Sequence, residues 1–474
     1  MMAAEFQRIY IKGGVLSPGE LKQIIHLAKK LDLATIKFGS RQDILFPYNS
    51  SNKEIIAQYP SLNIEGTSRH QYQNIVCSYV AADISPATIW LKGATYLYIL
   101  EQFSSNPKLK INITDPKQQL TPLYSGELNF IASEHEDYWY LNLNLSNWKN
   151  IDYPVLIYSW DISKVAKAIE ELYEQATDLS TLFRLVNENT DAKNRTIENE
   201  LSIPFQPFPF YEGMNKMGVD EYWLGLYWRN NEYDLDFLND FCDFCLKSRI
   251  GKICITSWKS LIVKGIHKKY KLDLEKFLGK KGINIRHSSL ELNWHLPVDD
   301  TSALELKKFI VRNFDQNDIS TYGLNFSIVD RSRNDSYFTS SVIEKNEIPK
   351  IVKEFHIRPT YNVLYCKNFN PNTREYLVYA QDVDKMELPG LLMELSKLYF
   401  EKLGESETAN VDMKTEEKIK KKVHQCTACL TIYDADYGDK KFNLMPGTLF
   451  ENTPANYVCS VCEAAKESFE LVEI

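Results

Sequence analysis

The sequence predicts an α+β protein in which a unit of roughly 200 residues occurs twice and is followed by a small cysteine-rich domain. Three observations predict this architecture. A strand–helix–strand order near the N-terminus recurs after residue 220, and each copy continues into a longer mixed segment that ends in a helix. Four of the nine cysteines lie close to the C-terminus. A chain of 474 residues is also too long for a single ordinary core.

The first copy begins with residues 7–12, whose alternating apolar and polar side chains predict a short strand. Pro18 then opens a helix, and residues 35–46 return to a strand-like pattern. A helix at 165–173 ends the copy. The helix after Pro18 has one apolar face, which is made of Leu21, Ile24, Ile25, Leu27 and Ala28.

The second copy follows the same order. An apolar, aromatic strand at 223–227 precedes a helix, which is followed by strands at 252–256 and 260–266, and a helix at 388–399 ends the copy. The apolar face of the first of these helices consists of Leu235, Leu238, Phe241, Cys242, Cys245 and Leu246.

Two of these cysteines, Cys242 and Cys245, are three residues apart on that face, and Cys254 follows nearby. They could suggest a second metal site. Because free cysteine is commonly buried as a small apolar residue, the sequence favours a place in the core for them.

Two segments separate the copies: a polar stretch at 187–194 and a proline-rich stretch at 204–209. Residues 402–422 are rich in Glu and Lys and predict a solvated tether, although their mixed charge is also compatible with a helix. The predicted domains are a first half at 1–186, a linker at 187–210, a second half at 211–401, a charged tether at 402–421 and a terminal domain at 422–474.

The composition restricts the function. Apolar residues make up 44% and charged residues 25% of the chain, which is typical of a folded soluble protein. The net charge of −8 argues against nucleic acid as a partner. No apolar run reaches membrane-spanning length, and the N-terminus lacks the pattern of a signal peptide, so we expect a cytoplasmic protein without membrane contact. Glycine-rich phosphate loops and the common hydrolase motifs are also absent from the sequence.

The four C-terminal cysteines form two pairs, Cys426-x2-Cys429 and Cys459-x2-Cys462. Each pair presents two thiolates from a tight turn, and two facing turns make a tetrahedral four-sulfur site suited to zinc or to a single iron. The metal must supply much of the stability, because roughly fifty residues cannot bury a large core.

The residues around these cysteines resemble rubredoxin. The matching stretches, in order, are 426–434, 438–439, 445–448, 450–451, 454, 457–462 and 466–470. The resemblance implies a small three-stranded sheet with an aromatic core and one iron. It implies that Cys426, Cys429, Cys459 and Cys462 are the iron ligands. It also implies an apolar shell around the metal, made of Tyr433, Phe450, Tyr457 and Phe469.

The chain departs from the rubredoxin pattern in three respects. Leu430 and Glu463 follow the cysteine pairs where the family usually has Gly, and a non-Gly residue in that left-handed backbone costs on the order of 1 kcal/mol. Tyr457 replaces the usual Trp, and Ser460 the usual Pro. None of these changes removes a ligand. A zinc ribbon remains the alternative, but it would not require the Pro-Gly-Thr and aromatic positions.

The repeated unit resembles siroheme-dependent nitrite and sulfite reductases. The matching stretches are 10–14, 16–21, 36–42 and 73–77 in the first copy and 207–211, 224–226, 253–256 and 261–266 in the second. The resemblance implies a pseudo-twofold repeat of ferredoxin-like halves that share an α/β domain. It also implies two further mixed α/β lobes, which in that family clasp siroheme and a 4Fe–4S cluster.

The cysteines of that cluster are missing. The family places four of them in the lobe after the second ferredoxin-like half, whereas residues 267–365 of this chain contain no cysteine. Residues 291–297 and 322–330 occupy the places expected for the two cysteine pairs. The sequence therefore predicts that this degenerate lobe forms no 4Fe–4S cluster.

Siroheme alone is harder to judge, because its carboxylates need many Arg and Lys donors. Arg41 stands where the resemblance places a binding arginine, and Lys259 stands at the related place in the second half. However, Gln73 replaces the usual Arg and the cluster that feeds the haem is missing, so the sequence weighs against siroheme and favours Arg41 and Lys259 as surface residues. His295 could be an axial ligand, but beside Trp294 it is better interpreted as a packed residue.

Three functions follow, in order of preference. In the first, an iron-binding rubredoxin domain carries single electrons between a reductase donor and an acceptor, with a nitrite or sulfite reductase as the candidate acceptor, and the reductase-like body docks the partner. In the second, the body binds siroheme or another tetrapyrrole and the chain is a reductase fed by its own rubredoxin domain. In the third, the metal is zinc and the chain is a binding or assembly factor without redox activity.

An electron carrier is therefore preferred to a catalyst. Residues 422–474 hold eight acidic residues against four lysines, which suits docking onto a basic partner, although an acidic surface alone would look the same.

Overall fold

The computed structural model describes residues 6–47, 52–62, 64, 74–104, 107–146, 148–298, 300–331, 337–346, 358–413 and 422–473. The chain divides into two compact units, Met1–Tyr399 and Phe400–Ile474, which we call the body and the C-terminal unit. Among the described residues, no helix combines the length and the apolar character that crossing a bilayer requires.

The body is a mixed α+β structure. Its elements up to residue 196 are β1 (Phe6–Tyr10), β2 (Val15–Leu16), α1 (Pro18–Lys30), β3 (Thr35–Phe38), β4 (Asp43–Pro47), α2 (Lys53–Ile56), β5 (Ile75–Cys77), α3 (Gly93–Glu101), β6 (Ile111–Thr114), β7 (Leu128–Ala132), β8 (Tyr138–Leu145), β9 (Trp148–Asp152), β10 (Val155–Tyr158), α4 (Ile162–Leu172), α5 (Leu179–Asn189) and β11 (Asn194–Thr196).

The elements that follow repeat much of this order. They are β12 (Gly213–Lys216), β13 (Glu221–Leu226), β14 (Tyr233–Asp234), α6 (Leu235–Lys247), β15 (Lys252–Ile255), β16 (Leu261–His267), α7 (Lys268–Lys280), α8 (Ser289–Leu292), β17 (Trp294–His295), α9 (Thr301–Gln316), β18 (Phe326–Asp330), β19 (Ser341–Lys345), β20 (Tyr361–Cys366), β21 (Tyr376–Val383) and α10 (Leu388–Met413).

Helices α1 and α6 form where the sequence predicts them. Ser17 caps α1 by accepting a hydrogen bond from the Glu20 backbone N–H, while the Glu20 carboxylate accepts from the Ser17 N–H. Asp234 caps α6 in the same way, through the Phe237 N–H. The predicted apolar face of α1 is buried, and α1 packs against α6.

The predicted apolar face of α6 is buried with one exception. Cys242 and Cys245 are fully buried, which confirms them as core residues, and Cys254 lies buried on β15. Leu246 is half-exposed, so its place on that face was wrongly predicted. At 100° per residue, Leu246 falls just past the edge of the arc that the buried residues occupy, and it lies in the last turn of the helix.

Two sheets at the centre of the body exchange strands. One has the order β1-β4-β3-β14 and the other the order β12-β13-β16-β15-β2. In the first, β14 of the second half pairs with β3, so that Tyr233 lies opposite Ile36. In the second, β2 of the first half pairs with β15, so that Leu16 lies opposite Ile253. This reciprocal pairing gives the two halves a pseudo-twofold relationship and joins them in one hydrophobic core.

Each half also carries a mixed lobe. In the first lobe β5, β6 and β7 run parallel and β8 is antiparallel to β7. In the second lobe β17, β18 and β19 run parallel and β20 is antiparallel to β19. The shared order of parallel and antiparallel strands extends the pseudo-twofold repeat from the central sheets to the lobes.

The predicted linker and tether contain regular structure. Within 187–210, β11 pairs with β10, and the Phe208 N–H donates to the Gly323 carbonyl at 2.9 Å. Helix α10 continues to Met413, so the first part of the tether is helical, and 414–421 lie outside the described residues. The predicted boundaries themselves stay predictions.

The C-terminal unit contains the predicted small β domain. Its three strands are β22 (Lys422–Cys426), β23 (Ile432–Tyr433) and β24 (Phe469–Glu473), in the order β23-β22-β24 with β22 antiparallel to both neighbours. Buried Tyr433, Phe450 and Tyr457 make its core.

Candidate metal centre

Two matching turns, which we call the knuckles, hold the four cysteines of the C-terminal unit. In the first, which follows β22, the Leu430 N–H donates to the Cys426 carbonyl at 2.8 Å and the Cys426 N–H to the Thr431 carbonyl at 2.9 Å. The second repeats both bonds, from Glu463 to Cys459 at 2.9 Å and from Cys459 to Ala464 at 2.8 Å. The equal spacing of the two pairs therefore produces equal backbone geometry.

The four sulfur atoms converge. All lie within 4.8 Å of one another, with Sγ–Sγ distances of 3.7 Å between Cys426 and Cys462 and 3.5 Å between Cys429 and Cys459. A tetrahedral site with metal–sulfur bonds of ~2.3 Å requires sulfurs ~3.8 Å apart. The residues present therefore fit one iron or zinc ion, and the structure brings together all four predicted ligands.

The ligands differ in exposure. Cys426 and Cys459 are fully buried, whereas Cys429 is half-buried and Cys462 is exposed. The site thus has an inner side covered by the domain and an outer side that faces solvent.

A hydroxyl group supports one of the outer ligands. The Thr431 hydroxyl lies 3.1 Å from Cys429 Sγ. This hydrogen bond and a second one from the Thr431 backbone lower the pKa of the Cys429 thiol to about 6. Thiolate is the form that binds metal, so Thr431 favours the binding-competent state. Sequence reasoning missed Thr431, because a threonine beside a cysteine pair carries no signal of its own.

The predicted aromatic shell is present on the inner side of the site. The rings of Phe450 and Tyr457 each lie edge-on to Tyr433, at centroid distances of 5.4 and 5.7 Å. Phe469 packs against Phe450 at 5.0 Å. His424, which was not predicted, stacks on Phe450 at 4.1 Å. The shell belongs to the same small domain as Cys426 and Cys459, the two ligands whose side chains are fully buried.

Polar contacts fix the loop that covers this shell. The Tyr457 hydroxyl donates to the Asp439 carboxylate at 2.9 Å, and burial together with that carboxylate raises the pKa of Tyr457. Lys441 donates to the Ser460 carbonyl, within the second knuckle, at 2.8 Å. Gly438 has φ +67°, and a Cβ there would meet the Leu444 carbonyl at 2.3 Å, so this turn requires glycine.

Arg41 and Lys259, the two candidate tetrapyrrole donors, lie in the body and not in the unit that holds the four cysteines. Arg41 occupies the turn between β3 and β4, where its guanidinium donates to the Asn112 side chain at 2.6 Å and to the Asn74 and Ile111 carbonyls. Burial lowers its pKa to about 10. The guanidinium ties this turn to the adjacent lobe and Arg41 is half-buried, so the expectation of a surface residue is only partly met for Arg41.

The expectation of a surface residue is wrong for Lys259. It lies between β15 and β16, is 9% exposed, and donates to the Leu296 carbonyl. Its backbone, at φ +59°, is held by the Tyr233 hydroxyl, which donates to the Lys259 carbonyl at 2.7 Å. Burial lowers the pKa of the amine to about 7. A tetrapyrrole-binding role for Arg41 and Lys259 stays a prediction, and Gln73 lies outside the described residues.

His295 is packed among aromatic rings, as the sequence suggested. Its ring lies edge-on to Phe338 at 4.6 Å and to Trp258 at 6.3 Å. Burial lowers its pKa well below the usual range, so the imidazole is neutral. Its Nε2 is buried without a hydrogen-bond partner among the described residues. An unpaired ring nitrogen would suit an axial ligand, whereas the edge-on contacts with Phe338 and Trp258 agree with a packed residue.

Comparison with known proteins agrees with the metal site. Residues 423–469 match the family model described as Rubredoxin. The chain is 39% identical over 49 residues to the high molecular weight rubredoxin of Moorella thermoacetica and 44% identical over 46 residues to a rubredoxin of Synechocystis sp.. It is 40% identical over 50 residues to rubredoxin-1 of Alcanivorax borkumensis.

Each match covers 10% of this chain, but the relatives are covered unequally. The alignments span 21% of the Moorella protein, 40% of the Synechocystis protein and 93% of the Alcanivorax protein. The resemblance is thus to a domain, and it confirms the predicted one.

A solved structure resembles most of the chain. The Mycobacterium tuberculosis NirA protein superposes with a TM-score of 0.62 at 14% identity, over 82% of this chain and 79% of that one. At this identity the likeness concerns the fold alone. It agrees with the nitrite/sulfite reductase-like fold that the sequence resemblance implies.

Proposed function

We propose that this chain, which belongs to the rubredoxin family through residues 423–469, delivers single electrons to a redox partner that its reductase-like body docks. The convergence of four sulfur atoms within 4.8 Å is the observation that carries the proposal. A nitrite or sulfite reductase is the candidate acceptor and a reductase protein the candidate donor.

The C-terminal unit supplies what such a carrier needs. When bound, iron provides one-electron chemistry between the ferrous and ferric states. Cys426, Cys429, Cys459 and Cys462 would hold it, and the aromatic shell excludes water from one side. The exposed Cys462 brings the centre to the surface, where a partner can approach.

The body supplies recognition. Its lobe holds no cysteine between 267 and 365, so four thiolates for a cluster are missing there and the body has no electron input of its own. Because the rubredoxin domain is covalently joined to the body, its effective concentration near any partner bound by the body is high. We therefore assign docking to the body and electron delivery to residues 422–474, the C-terminal domain within the C-terminal unit.

The test is the metal and its spectrum. Purified full-length protein should contain one iron per chain and be red, and its visible bands should bleach with dithionite. Cys459→Ser should lose the iron and the bands. Cys366→Ser, which changes a buried cysteine of the body, is the matched control and should keep both.

Other outcomes favour the other functions. Stoichiometric zinc in a colourless protein would replace the proposal with a binding or assembly role. Additional tetrapyrrole bands after expression with siroheme synthesis would favour a reductase fed by its own rubredoxin domain, and His295→Ala would then test the buried Nε2 as a ligand. Unchanged iron in Cys459→Ser would show that the ligands are wrongly assigned.

A further inference from the structure

The two residues that follow the cysteine pairs lie on the outer side of the metal site. Leu430 follows the half-buried Cys429 and is 66% exposed, and Glu463 follows the exposed Cys462 and is itself exposed. Val461, 68% exposed, precedes Cys462. We call 428–430 together with 461–463 the knuckle face. Since Cys462 is the exposed ligand, this face gives the shortest path between the metal site and solvent.

Both residues occupy backbone that favours glycine. Leu430 has φ +62° and Glu463 has φ +61°, in the left-handed region that disfavours any side chain. Strained positions of this kind gather at functional sites, so an observed outlier suggests a role.

The domain itself gains little from either side chain. Leu430 is too exposed to stabilise the core, since its leucine side chain lies mostly in water. Within the described residues, the Glu463 carboxylate forms no hydrogen bond or ion pair. Two side chains that strain the backbone and contribute little to the domain are explained if they contact another molecule.

We propose that Leu430 and Glu463 select the redox partner, which must offer an apolar contact surface beside a lysine or arginine. This inference rests on the proposed electron-carrier function and adds the chemistry of the partner's face. Leu430 and Val461 present apolar surface beside the four-cysteine site, and the exposed Glu463 adds one negative charge at its edge. An apolar centre with a charged rim is the usual anatomy of a protein interface, and the charge sets orientation and encounter rate.

The rest of the C-terminal domain agrees with a basic partner. Its eight acidic residues against four lysines repel an acidic surface and attract a basic one. Two of those lysines are engaged within the domain, Lys441 with the Ser460 carbonyl and Lys466 with the Thr453 carbonyl.

The test measures electron transfer from the dithionite-reduced, iron-loaded full chain to three small oxidants by stopped flow. Each step moves one electron from the ferrous centre to the oxidant, and no bond forms or breaks. Tris(phenanthroline)cobalt(III) is a cation with an aromatic shell, hexaammineruthenium(III) is a cation without one, and ferricyanide is an anion.

The variants separate the two side chains. Leu430→Ala keeps the backbone strain and should slow the cobalt complex roughly two- to fivefold while leaving the ruthenium complex unchanged. Glu463→Gln should slow both cations roughly two- to fivefold and accelerate ferricyanide, with the effect vanishing at 1 M salt. Leu471→Ala and Glu470→Gln, exposed changes on β24, are the controls and should not alter any rate.

Two results would overturn the inference: unchanged rates for Leu430→Ala and Glu463→Gln, or equal slowing with all three oxidants, because the latter would mean that the centre itself has changed. The reduction potential of each variant, measured alongside, identifies such a change. A protein without iron would instead refute the electron-carrier function, so the two failures are distinguishable.

Discussion

Leu430 and Glu463 are non-glycine residues in a left-handed backbone conformation that favours glycine. The knuckle hydrogen bonds hold both at positive φ, and each N–H donates to the carbonyl of the first cysteine of its pair. The conformation is therefore imposed by the metal-binding turn rather than chosen by the residue. The strain is local and removable, since glycine adopts the same conformation without a side chain.

Replacing both residues by glycine should stabilise the C-terminal domain. We expect the double variant Leu430→Gly with Glu463→Gly to raise the free energy of unfolding by roughly 1–2 kcal/mol. Guanidinium unfolding of the iron-loaded protein, followed by its visible bands, measures this. Leu471→Gly, on β24, is the control and should lower the stability, because glycine weakens a strand. Lower stability in the double variant would contradict the strain argument.

Lys259 is a second residue in an unfavourable environment, because its amine is buried. Its pKa of about 7 lies below the usual 10.5, because burial disfavours the charged amine. Between these pH values the unfolded chain binds the proton and the folded chain does not. The contribution of Lys259 to stability therefore rises with pH across this window and is most unfavourable below pH 7.

Lys259→Met should remove that penalty. The variant should be more stable than the wild type by a few kcal/mol near pH 7, at about 1.4 kcal/mol per pKa unit, and the difference should shrink toward pH 10. Chemical denaturation at several pH values measures it. Lys252→Met, a change at an exposed lysine, is the control, and a difference that does not depend on pH would contradict the assigned pKa.

At the scale of elements, the exchanged strands β2 and β14 connect the halves. Each is only two residues long, so neither is stable by itself. Tyr233 anchors β14, since its ring stacks on Phe38 at 4.0 Å and its hydroxyl reaches the Lys259 carbonyl. The exchange therefore depends on side-chain contacts at least as much as on strand pairing.

Removal of that hydroxyl tests the anchor. Tyr233→Phe should destabilise the body by roughly 1–2 kcal/mol, because it removes a buried hydrogen bond while keeping the ring. Thermal unfolding followed by circular dichroism gives the shift, and the visible spectrum of the metal site should not change. Tyr98→Phe, an exposed tyrosine, is the matched control. An equal effect of both changes would mean that Tyr233 is not an anchor.

Element periodicity also explains what the sequence could predict. Helices α1 and α6 were predictable, because capping residues and a 3.6-residue apolar repeat mark them. Residues 35–46 were predicted as one strand-like stretch, but the chain turns at Arg41 into the separate strands β3 and β4. The strands β2 and β14 are too short for any periodic signal, so their exchange could be learned only from the fold.

The residues of the metal site also fall into those that the sequence predicts and those that it does not. The ligands were predictable, because the spacing of two cysteine pairs encodes the site directly. Thr431, His424 and Lys441 were not, since their contacts arise only after the two knuckles meet. The burial of Lys259 and the inward contacts of the Arg41 guanidinium were also missed, because they depend on distant partners in the folded chain.

At the scale of the whole molecule, the two units differ in how they hold together. The body joins both halves in one core across the exchanged strands. The C-terminal domain encloses its own aromatic core and its own four thiols. One unit is therefore indivisible, whereas the other contains all the contacts that its metal site needs.

Truncation should reveal this difference. Residues 422–474 alone should take up one iron and reproduce the visible spectrum of the full chain, because every ligand and shell residue lies within them. Residues 1–210 and 211–401, expressed separately, should be insoluble, and coexpression should restore at most part of the folded body. Soluble, folded single halves, judged by cooperative unfolding, would contradict the shared core.

The reciprocal exchange of β2 and β14 also has a consequence for folding during synthesis. The pairing of β3 with β14 joins residue 36 to residue 233, a contact of very high sequence separation, which slows folding. At 5–20 residues per second, a ribosome needs roughly 10–40 s between these two points. Throughout that interval the edge of β3 stays unpaired beside an incomplete core. We therefore expect nascent chains of this protein to depend on chaperones until α6 has emerged.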